Sequence, residues 1–76
     1  MAKITIYTTP SCPTCFMLKE FLKDKGVDFE EVDVSTNQEA AQRIFEKTGA
    51  LSVPVVESNG KFIVGFKMKE ILELIE

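Results

Sequence analysis

The sequence has little of what metal sites and disulfide frameworks are built from. It contains no histidine and two cysteines among 76 residues, so a closed zinc site, which usually needs four Cys or His ligands, would require a second chain or carboxylate ligands. Two cysteines are also too few for the disulfide framework of a small secreted domain. A close cysteine pair in a reducing compartment more often serves redox or metal chemistry, which directs attention to Cys12 and Cys15.

Long apolar runs and an excess of basic residues are missing as well. No stretch approaches the roughly 20 apolar residues of a transmembrane helix, and the first residues lack the apolar run of a signal peptide. Nine Lys and Arg against twelve Asp and Glu give a net charge of −3, spread along the chain. We therefore expect no nucleic-acid partner, no membrane association and a cytoplasmic protein.

Length and composition predict one compact domain over residues 1–76. With 45% hydrophobic and 28% charged residues, the chain has the composition of an ordinary globular protein. It is long enough for one hydrophobic core and too short for two domains. We expect this domain to be a monomer.

Four short β-rich runs predict the strands of a sheet. In the second run Val32 and Val34 share one face while Phe29 points to the other, a mixed pattern that fits an outer strand. The third and fourth runs surround Asn59-Gly60, the strongest short hairpin signal, because both residues tolerate positive φ. The four runs cover residues 3–8, 29–34, 53–57 and 61–64.

Three amphipathic runs predict helices. The first begins at Pro13, which suits the first helical position, and reaches about residue 25 with Gly26 as its C-cap. The second has capping-box form from Thr36 to Glu39 and ends before Gly49. The apolar stripes of the three helices are Cys15, Leu18 and Leu22; Ala41, Ile44, Phe45 and Thr48; and Met68, Ile71, Leu72 and Ile75.

The predicted element order is βαβ, then α, then ββα. Strands that alternate with helices in this way indicate an α/β fold, and the first βαβ unit favours a parallel crossover. The predicted architecture is a four-stranded mixed sheet with three helices.

The spacing of Cys12 and Cys15 predicts a reactive dithiol. Residues three apart at a helix start lie on one face, with Cβ atoms about 5–6 Å apart, so a disulfide needs only modest adjustment. Unpaired N–H groups at a helix N-terminus stabilise a thiolate, which makes Cys12 the predicted nucleophile. Cys15 lies further into the helix on its apolar stripe and is the predicted resolving thiol.

Two other uses of the same cysteines compete with this interpretation. A structural disulfide would close a very short loop and stabilise the fold by only about 2 kcal/mol. A metal or iron–sulfur delivery protein is the second function, because copper chaperones are also small domains with an N-terminal Cys-x-x-Cys. Those chaperones have the order βαββαβ and a Met two residues before the first cysteine, whereas this sequence has Pro10 there and a predicted terminal helix.

Three stretches of the sequence form a family pattern: Ile6-Tyr7-Thr8-Thr9-Pro10-Ser11-Cys12-Pro13-Thr14-Cys15, Val53-Pro54 and Gly65-Phe66. Together they resemble the glutaredoxin family over essentially the whole chain. The resemblance implies a thioredoxin-like fold and a thiol–disulfide oxidoreductase. It also implies a cis peptide bond before Pro54, which faces the cysteines, and pairing of the Val53 backbone with the substrate.

The resemblance further implies what the site binds. It needs no bound cofactor, because the electrons reside on the two sulfur atoms, and glutathione would be a substrate. The expected partners are disulfide-containing proteins, with glutathione or thioredoxin reductase as electron donor. Substrate-binding roles are implied for Pro13, Thr14, Val53, Pro54, Gly65 and Phe66.

The departures from the family pattern concern the electron donor. Glutathione-using members commonly have Lys where this chain has Thr9, Tyr at Thr14, and Gly-Gly followed by a small residue and Asp around Gly65. Gly-Phe followed by a basic residue resembles instead the glutaredoxin-like hydrogen donors of ribonucleotide reductase, which take electrons from thioredoxin reductase. Those donors usually have Val-Gln between the cysteines, so both donors stay open.

Several residues near the pair have an ordinary explanation. Lys67 and Lys69, at the start of the terminal helix, are expected to be solvated instead of binding a glutathione carboxylate. Phe66 follows a strand, a position that is usually part of the core. Lys19, one turn beyond Cys15, is expected to be exposed and is left out of the predicted site.

Overall fold

The protein folds into a sheet with helices on both faces in the predicted order, as described by a computed structural model for residues 4–49 and 52–75. The predicted start of the first strand at residue 3 lies outside this part of the chain. The elements are β1 Ile4–Thr8, α1 Pro13–Asp24, β2 Phe29–Asp33, α2 Gln38–Thr48, β3 Val55–Ser58, β4 Lys61–Val64 and α3 Met68–Ile75.

The sheet has the order β2-β1-β3-β4 over the described residues. Strand β1 pairs in parallel with β2 and antiparallel with β3, and β3 pairs antiparallel with β4. This is the four-stranded mixed sheet with three helices that the sequence predicted, in a thioredoxin-like α/β fold. Because β1 lies inside the sheet, the residues that follow it, including the cysteines, start from a fixed strand end.

Alternation along β1 supplies two hydrophobic clusters. Ile4 and Ile6 are buried in one cluster with helix residues Leu18, Leu22 and Ile71. The other cluster consists of buried Tyr7, Ile44 and Val55. The edge strand β2 contributes Phe29 to the first cluster and Val32 to the second, as its mixed pattern predicted.

Helix α1 begins as predicted and ends one residue earlier than expected. Lys25 is its C-cap with right-handed helical angles, and Gly26 takes the left-handed conformation with φ 69° beyond it. The predicted C-cap at Gly26 is therefore wrong by one position. The N–H of Val27 bonds back to the Leu22 carbonyl at 3.0 Å, and this closure places the glycine outside the helix.

Helix α2 differs from the prediction at its start and on its stripe. Asn37, and not Thr36, is the N-cap: its Oδ1 accepts from the Ala40 N–H at 3.0 Å, while the Thr36 hydroxyl donates to the Asp33 carbonyl at 3.3 Å. The stripe is also narrower than expected, because Phe45 remains 49% exposed. The helix ends at Gly49 as predicted, with φ 73°.

The hairpin and the last helix match the prediction with two corrections. Asn59 and Gly60 form the turn with φ values of 52° and 80°. Strand β3 begins at Val55 instead of residue 53, since Pro54 has no N–H to donate to a ladder. In α3 Met68 is 52% exposed, and the helix packs through Ile71, Leu74 and Ile75.

A polar network joins the sheet to α2. The buried Tyr7 hydroxyl donates to Glu57 Oε1, and Arg43 Nη2 donates to Glu57 Oε2 at 2.7 Å. Burial, followed by the Glu57 hydrogen bond, raises the pKa of Tyr7 to about 12. The guanidinium of Arg43 also lies over the Phe62 ring, 5.9 Å from its centroid.

Among the described residues, no helix combines the length and apolarity needed to cross a bilayer.

Candidate functional site

Cys12 is the N-cap of α1. Its backbone is extended, with φ −104° and ψ 104°, and its Sγ accepts a hydrogen bond from the Cys15 N–H at 3.1 Å. Pro13 follows at the first helical position, where a missing N–H costs nothing. The sulfur of Cys12 therefore takes the place of the oxygen that Ser or Asp usually offers to the first turn.

Cys15 is the buried member of the pair. It is 1% exposed, on the helix face that also buries Leu18 and Leu22, whereas Cys12 is partly exposed. Burial, followed by the hydrogen bond to Cys12, raises the pKa of the Cys15 thiol to about 11. Both cysteines are free thiols. One thiol is thus accessible and lies at a helix start, and the other is shielded and protonated.

The peptide bond between Val53 and Pro54 is cis, as the family resemblance implied. The Cys12 thiol points to the Val53 carbonyl at a distance of 3.9 Å, so the loop before β3 lies against the accessible cysteine. Pro54 is buried, and its carbonyl accepts from the Gly65 N–H at 2.7 Å. Val53, Pro54 and Gly65 therefore form a connected backbone surface next to Cys12.

The other predicted binding residues divide into exposed and packed positions. Pro13 and Thr14 are exposed in the first turn of α1. Phe66 packs edge-to-face on Phe21, with ring centroids 5.6 Å apart, and belongs to the first hydrophobic cluster. This agrees with the core explanation of Phe66. Lys67, 60% exposed, forms an i,i+3 pair with Glu70 at 3.8 Å, as expected for a solvated residue.

A cleft of about 370 Å³ reaches both cysteines from the side of β1 and β2. None of the predicted substrate-binding residues lines it. Phe16, 61% exposed, contributes the largest apolar side chain at its rim. The residues that line the cleft are Thr8, Thr9, Pro10, Cys12, Cys15, Phe16, Lys19, Glu31 and Asp33.

The cleft contains an ion pair and a hydrogen bond that the sequence did not predict, formed by Lys19, Glu31 and Thr8. Glu31 Oε2 accepts from the Thr8 hydroxyl at 2.7 Å and pairs with Lys19 Nζ at 3.1 Å. The Thr8 hydrogen bond, followed by Lys19, lowers the pKa of Glu31. Lys19 is 30% exposed and turned to the cleft, so its predicted exposure is wrong. The available signal was its position one turn after Cys15, on the same helix face.

Residues 4–49 and 52–75 contain no group of three or more His, Cys, Asp or Glu side chains arranged to hold a metal ion. The element order of these residues, βαβαββα, differs from the βαββαβ order of copper chaperones.

Comparisons with known proteins agree with this geometry. The glutaredoxin family model matches residues 4–63. A glutaredoxin-like 8.6 kDa protein from the rubredoxin operon of Clostridium pasteurianum is 41% identical over 73 residues, which cover 96% of this chain and 97% of that protein.

Solved structures give the same answer. A glutaredoxin from Archaeoglobus fulgidus superposes with a TM-score of 0.89 and 32% identity, over 100% of this chain and 88% of that one. NrdH-redoxin from Escherichia coli, a glutaredoxin-like protein described as having a thioredoxin-like activity profile, superposes with a TM-score of 0.87 and 32% identity, over 95% of this chain and 93% of that one. With its sequence, its fold and its paired thiols in agreement, the chain belongs to the glutaredoxin family and is a glutaredoxin-like redox protein.

Proposed function

We propose that the protein is a dithiol–disulfide oxidoreductase in which Cys12 attacks and Cys15 resolves. The observation that carries the proposal is the 3.1 Å hydrogen bond from the Cys15 N–H to Cys12 Sγ at the start of α1. At a helix start, a backbone donor and the positive end of the helix dipole stabilise negative charge, which suits a nucleophilic cysteine. Cys15 is buried, so an incoming disulfide meets Cys12 first.

The reaction balances on the two sulfur atoms. The Cys12 thiolate attacks one sulfur of the substrate disulfide, forms a mixed disulfide and releases the other sulfur as a thiolate. Cys15 then loses its proton and attacks Cys12 Sγ, and the second substrate sulfur leaves as a thiolate that takes up a proton. Two electrons pass to the substrate, and the protein is left with a Cys12–Cys15 disulfide.

The backbone next to Cys12 is the proposed substrate platform. Val53 lies against the Cys12 thiol, and the Gly65 N–H fixes the Pro54 carbonyl from behind. A substrate strand that pairs with Val53 would bring its disulfide to Cys12, while Pro13 and Thr14 are exposed on the helix side. Phe66 would support this platform indirectly, through its contact with Phe21.

We propose disulfide-containing proteins as substrates and thioredoxin reductase as the electron donor, with glutathione as the alternative donor. The support is the similarity to NrdH-redoxin and the residues Thr9, Thr14 and Lys67, which depart from the glutathione-using pattern. The reaction needs no resident cofactor. A cytoplasmic location suits it, because that compartment keeps thiols reduced.

The mechanism is tested with two single-cysteine variants and a small protein disulfide as substrate. Cys12→Ser should abolish reduction, whereas Cys15→Ser should accumulate a mixed disulfide on Cys12 that intact mass spectrometry detects. Thr14→Ser, a conservative change between the cysteines, is the matched control and should retain activity. Full activity of Cys12→Ser would disprove the proposal.

The donor is tested by the equilibrium potential in a graded glutathione redox buffer. A potential near about −270 mV without glutathione adducts, together with turnover by thioredoxin reductase and NADPH, supports the thioredoxin-like assignment. A potential near about −200 to −230 mV with visible adducts assigns glutathione instead. A chain that does not cycle at all would return the metal-delivery function to first place.

A further inference from the structure

The cleft charges have no role in the proposed mechanism so far. Lys19 and Glu31 reach the cleft from different elements, α1 and β2, and meet at 3.1 Å between the walls that contain the cysteines. The Lys19 side chain is 30% exposed and the Glu31 side chain 38% exposed, so both remain accessible to solvent. Both residues line the cleft that reaches the cysteines, so the pair belongs to the site.

Glu31 is fixed in this position from two sides. The hydroxyl of Thr8, a residue that is 2% exposed, donates a hydrogen bond to Glu31 Oε2. Lys19 Nζ forms an ion pair with the same oxygen. Both contacts favour the ionised form and keep the pKa of Glu31 low, so the side chain is a carboxylate at neutral pH. A permanent negative charge is thus held in the cleft that both thiols line.

This charge acts on the buried thiol of Cys15. Glu31 adds to the effects that oppose ionisation of Cys15, after burial and the contacts with Cys12. Cys12 is partly exposed at the helix start, where its Sγ accepts a hydrogen bond from the Cys15 N–H. The other titratable groups facing the cleft are Lys19 and Asp33, and Oδ1 of Asp33 is engaged by the N–H and hydroxyl of Ser35.

We propose that Glu31, held by Thr8 and Lys19, is a positioning residue whose negative charge opposes deprotonation of Cys15 and thereby limits the rate at which Cys15 resolves the mixed disulfide. The inference rests on the proposed function. Lys19 has the opposite effect, since its ammonium offsets the carboxylate and keeps the resolving step from becoming slower still.

The pKa shifts of Cys15 and Glu31 disfavour a role for Glu31 as proton acceptor. In the reduced pair, burial raises the pKa of Cys15 to about 11, so this thiol holds its proton tightly. The pKa of the Glu31 carboxyl is lowered by Thr8 and Lys19, so this carboxylate is a poor acceptor for that proton. The carboxylate therefore acts through its charge.

The two models predict opposite results for Glu31→Gln. If the carboxylate acts as a charge, its removal lowers the pKa of Cys15 and speeds resolution. Each unit by which that pKa falls raises the thiolate fraction about tenfold, but a more acidic thiolate is less nucleophilic, so the step accelerates only about threefold. If the carboxylate accepts the proton, the same variant slows resolution. Lys19→Gln should slow the step by a similar factor, and the double variant should lie between the two single variants.

The experiment follows the mixed disulfide in single turnovers. Wild type, Glu31→Gln and Lys19→Gln are mixed with a disulfide peptide from pH 6 to 9, quenched with acid and analysed by intact mass. The curve of resolution rate against pH should shift to lower pH in Glu31→Gln and to higher pH in Lys19→Gln, while the first attack by Cys12 changes less. Glu20→Gln removes a carboxylate from α1 outside the cleft and is the matched control.

The outcomes separate this inference from the proposed function. Unchanged or slower resolution in Glu31→Gln overturns the charge role, even though the mixed disulfide still forms on Cys12. Absence of that intermediate in wild type and Cys15→Ser overturns the proposed function itself. Should Glu31→Gln fold poorly, Lys19→Gln decides alone: slower resolution supports the inference, and equal or faster resolution contradicts it.

Discussion

The backbone N–H of Gly65 donates a 2.7 Å hydrogen bond to the carbonyl of Pro54. This contact connects the end of β4 to the loop that lies against Cys12. Gly65 has φ 90°, a conformation that side chains rarely adopt, although a Cβ at this position would meet no atom within 4 Å. The glycine is required by its backbone angle and not by lack of space.

Gly65→Ala should therefore lower the free energy of unfolding by about 1–2 kcal/mol, through backbone strain. It should also slow the reaction of Cys12 with substrate, because the strain falls on the bond to Pro54. Gly60→Ala is the matched control: φ is 80° there, also with empty space, but in the hairpin turn. Chemical denaturation and turnover of both variants separate the two effects, and an equal loss of turnover would contradict the assignment.

The raised pKa of Tyr7 leads us to expect that the folded protein loses stability at high pH. Its folded-state pKa of about 12 lies above the ordinary 10.0, so the folded protein binds this proton more tightly than the unfolded chain does. The contribution is fully present below pH 10 and is lost as the pH rises toward 12, by about 3 kcal/mol at most. Cys15, with its pKa raised to about 11, adds a loss in the same direction.

Tyr7→Phe isolates the tyrosine contribution. The variant should be less stable than wild type at pH 7, because Glu57 loses a donor, and the difference should shrink as the pH rises above 10. Urea unfolding at several pH values measures this trend. Since Tyr7 is the single tyrosine of the sequence, the ultraviolet absorbance of its phenolate reports its pKa directly. Titration near pH 10 would contradict the burial argument.

A third prediction concerns which residue caps the N-terminus of α2. Asn37→Ala should lower the free energy of unfolding by about 1 kcal/mol, because the Ala40 N–H loses its acceptor. Thr36→Ala removes only an exposed 3.3 Å contact and should cost less than about 0.5 kcal/mol. A larger loss for Thr36→Ala in thermal or urea unfolding would restore the capping box predicted from the sequence.

Two neighbours of Cys15 should separate stability from substrate contact. Leu18 is fully buried, so Leu18→Ala should cost about 2–5 kcal/mol in unfolding free energy. Phe16 is 61% exposed at the cleft, and Phe16→Ala should cost less than about 0.5 kcal/mol. If the cleft contacts protein substrates, Phe16→Ala should slow reduction of a protein disulfide more than that of a small disulfide.

The elements could be predicted where local signals agree, as at Pro13 and Asn59-Gly60, because each of these residues fixes its own backbone angles. Thr36 shows where this fails. Its hydroxyl is engaged by the turn that follows β2, so the next residue caps the helix. Phe45 fails for another reason: periodicity indicates a face, but how much of that face is covered depends on the sheet beneath it.

The residues of the candidate site also divide into those that could be predicted from the sequence and those that could not. Cys12 and Cys15 are three residues apart, and one helix start fixes their relation, so their roles could be predicted from spacing. Glu31 could not, because its contacts to Thr8 and Lys19 span different elements and depend on the parallel pairing of β1 with β2. Charged residues on an edge strand ordinarily face solvent, and nothing local distinguishes this one.

The contact between Cys12 and Val53 has a consequence for biosynthesis. The two residues are 41 positions apart, and the ribosome releases the cysteine pair first. At about 5–20 residues per second, Val53 and the strand that follows it emerge seconds later. During that interval β1 has no β3 beside it, and neither Val56 nor Ile71 has joined the cluster under α1. The nascent chain then presents two thiols without the Val53 contact and without the complete packing of α1, and the difference in burial between them arises only after β3 and α3 have emerged.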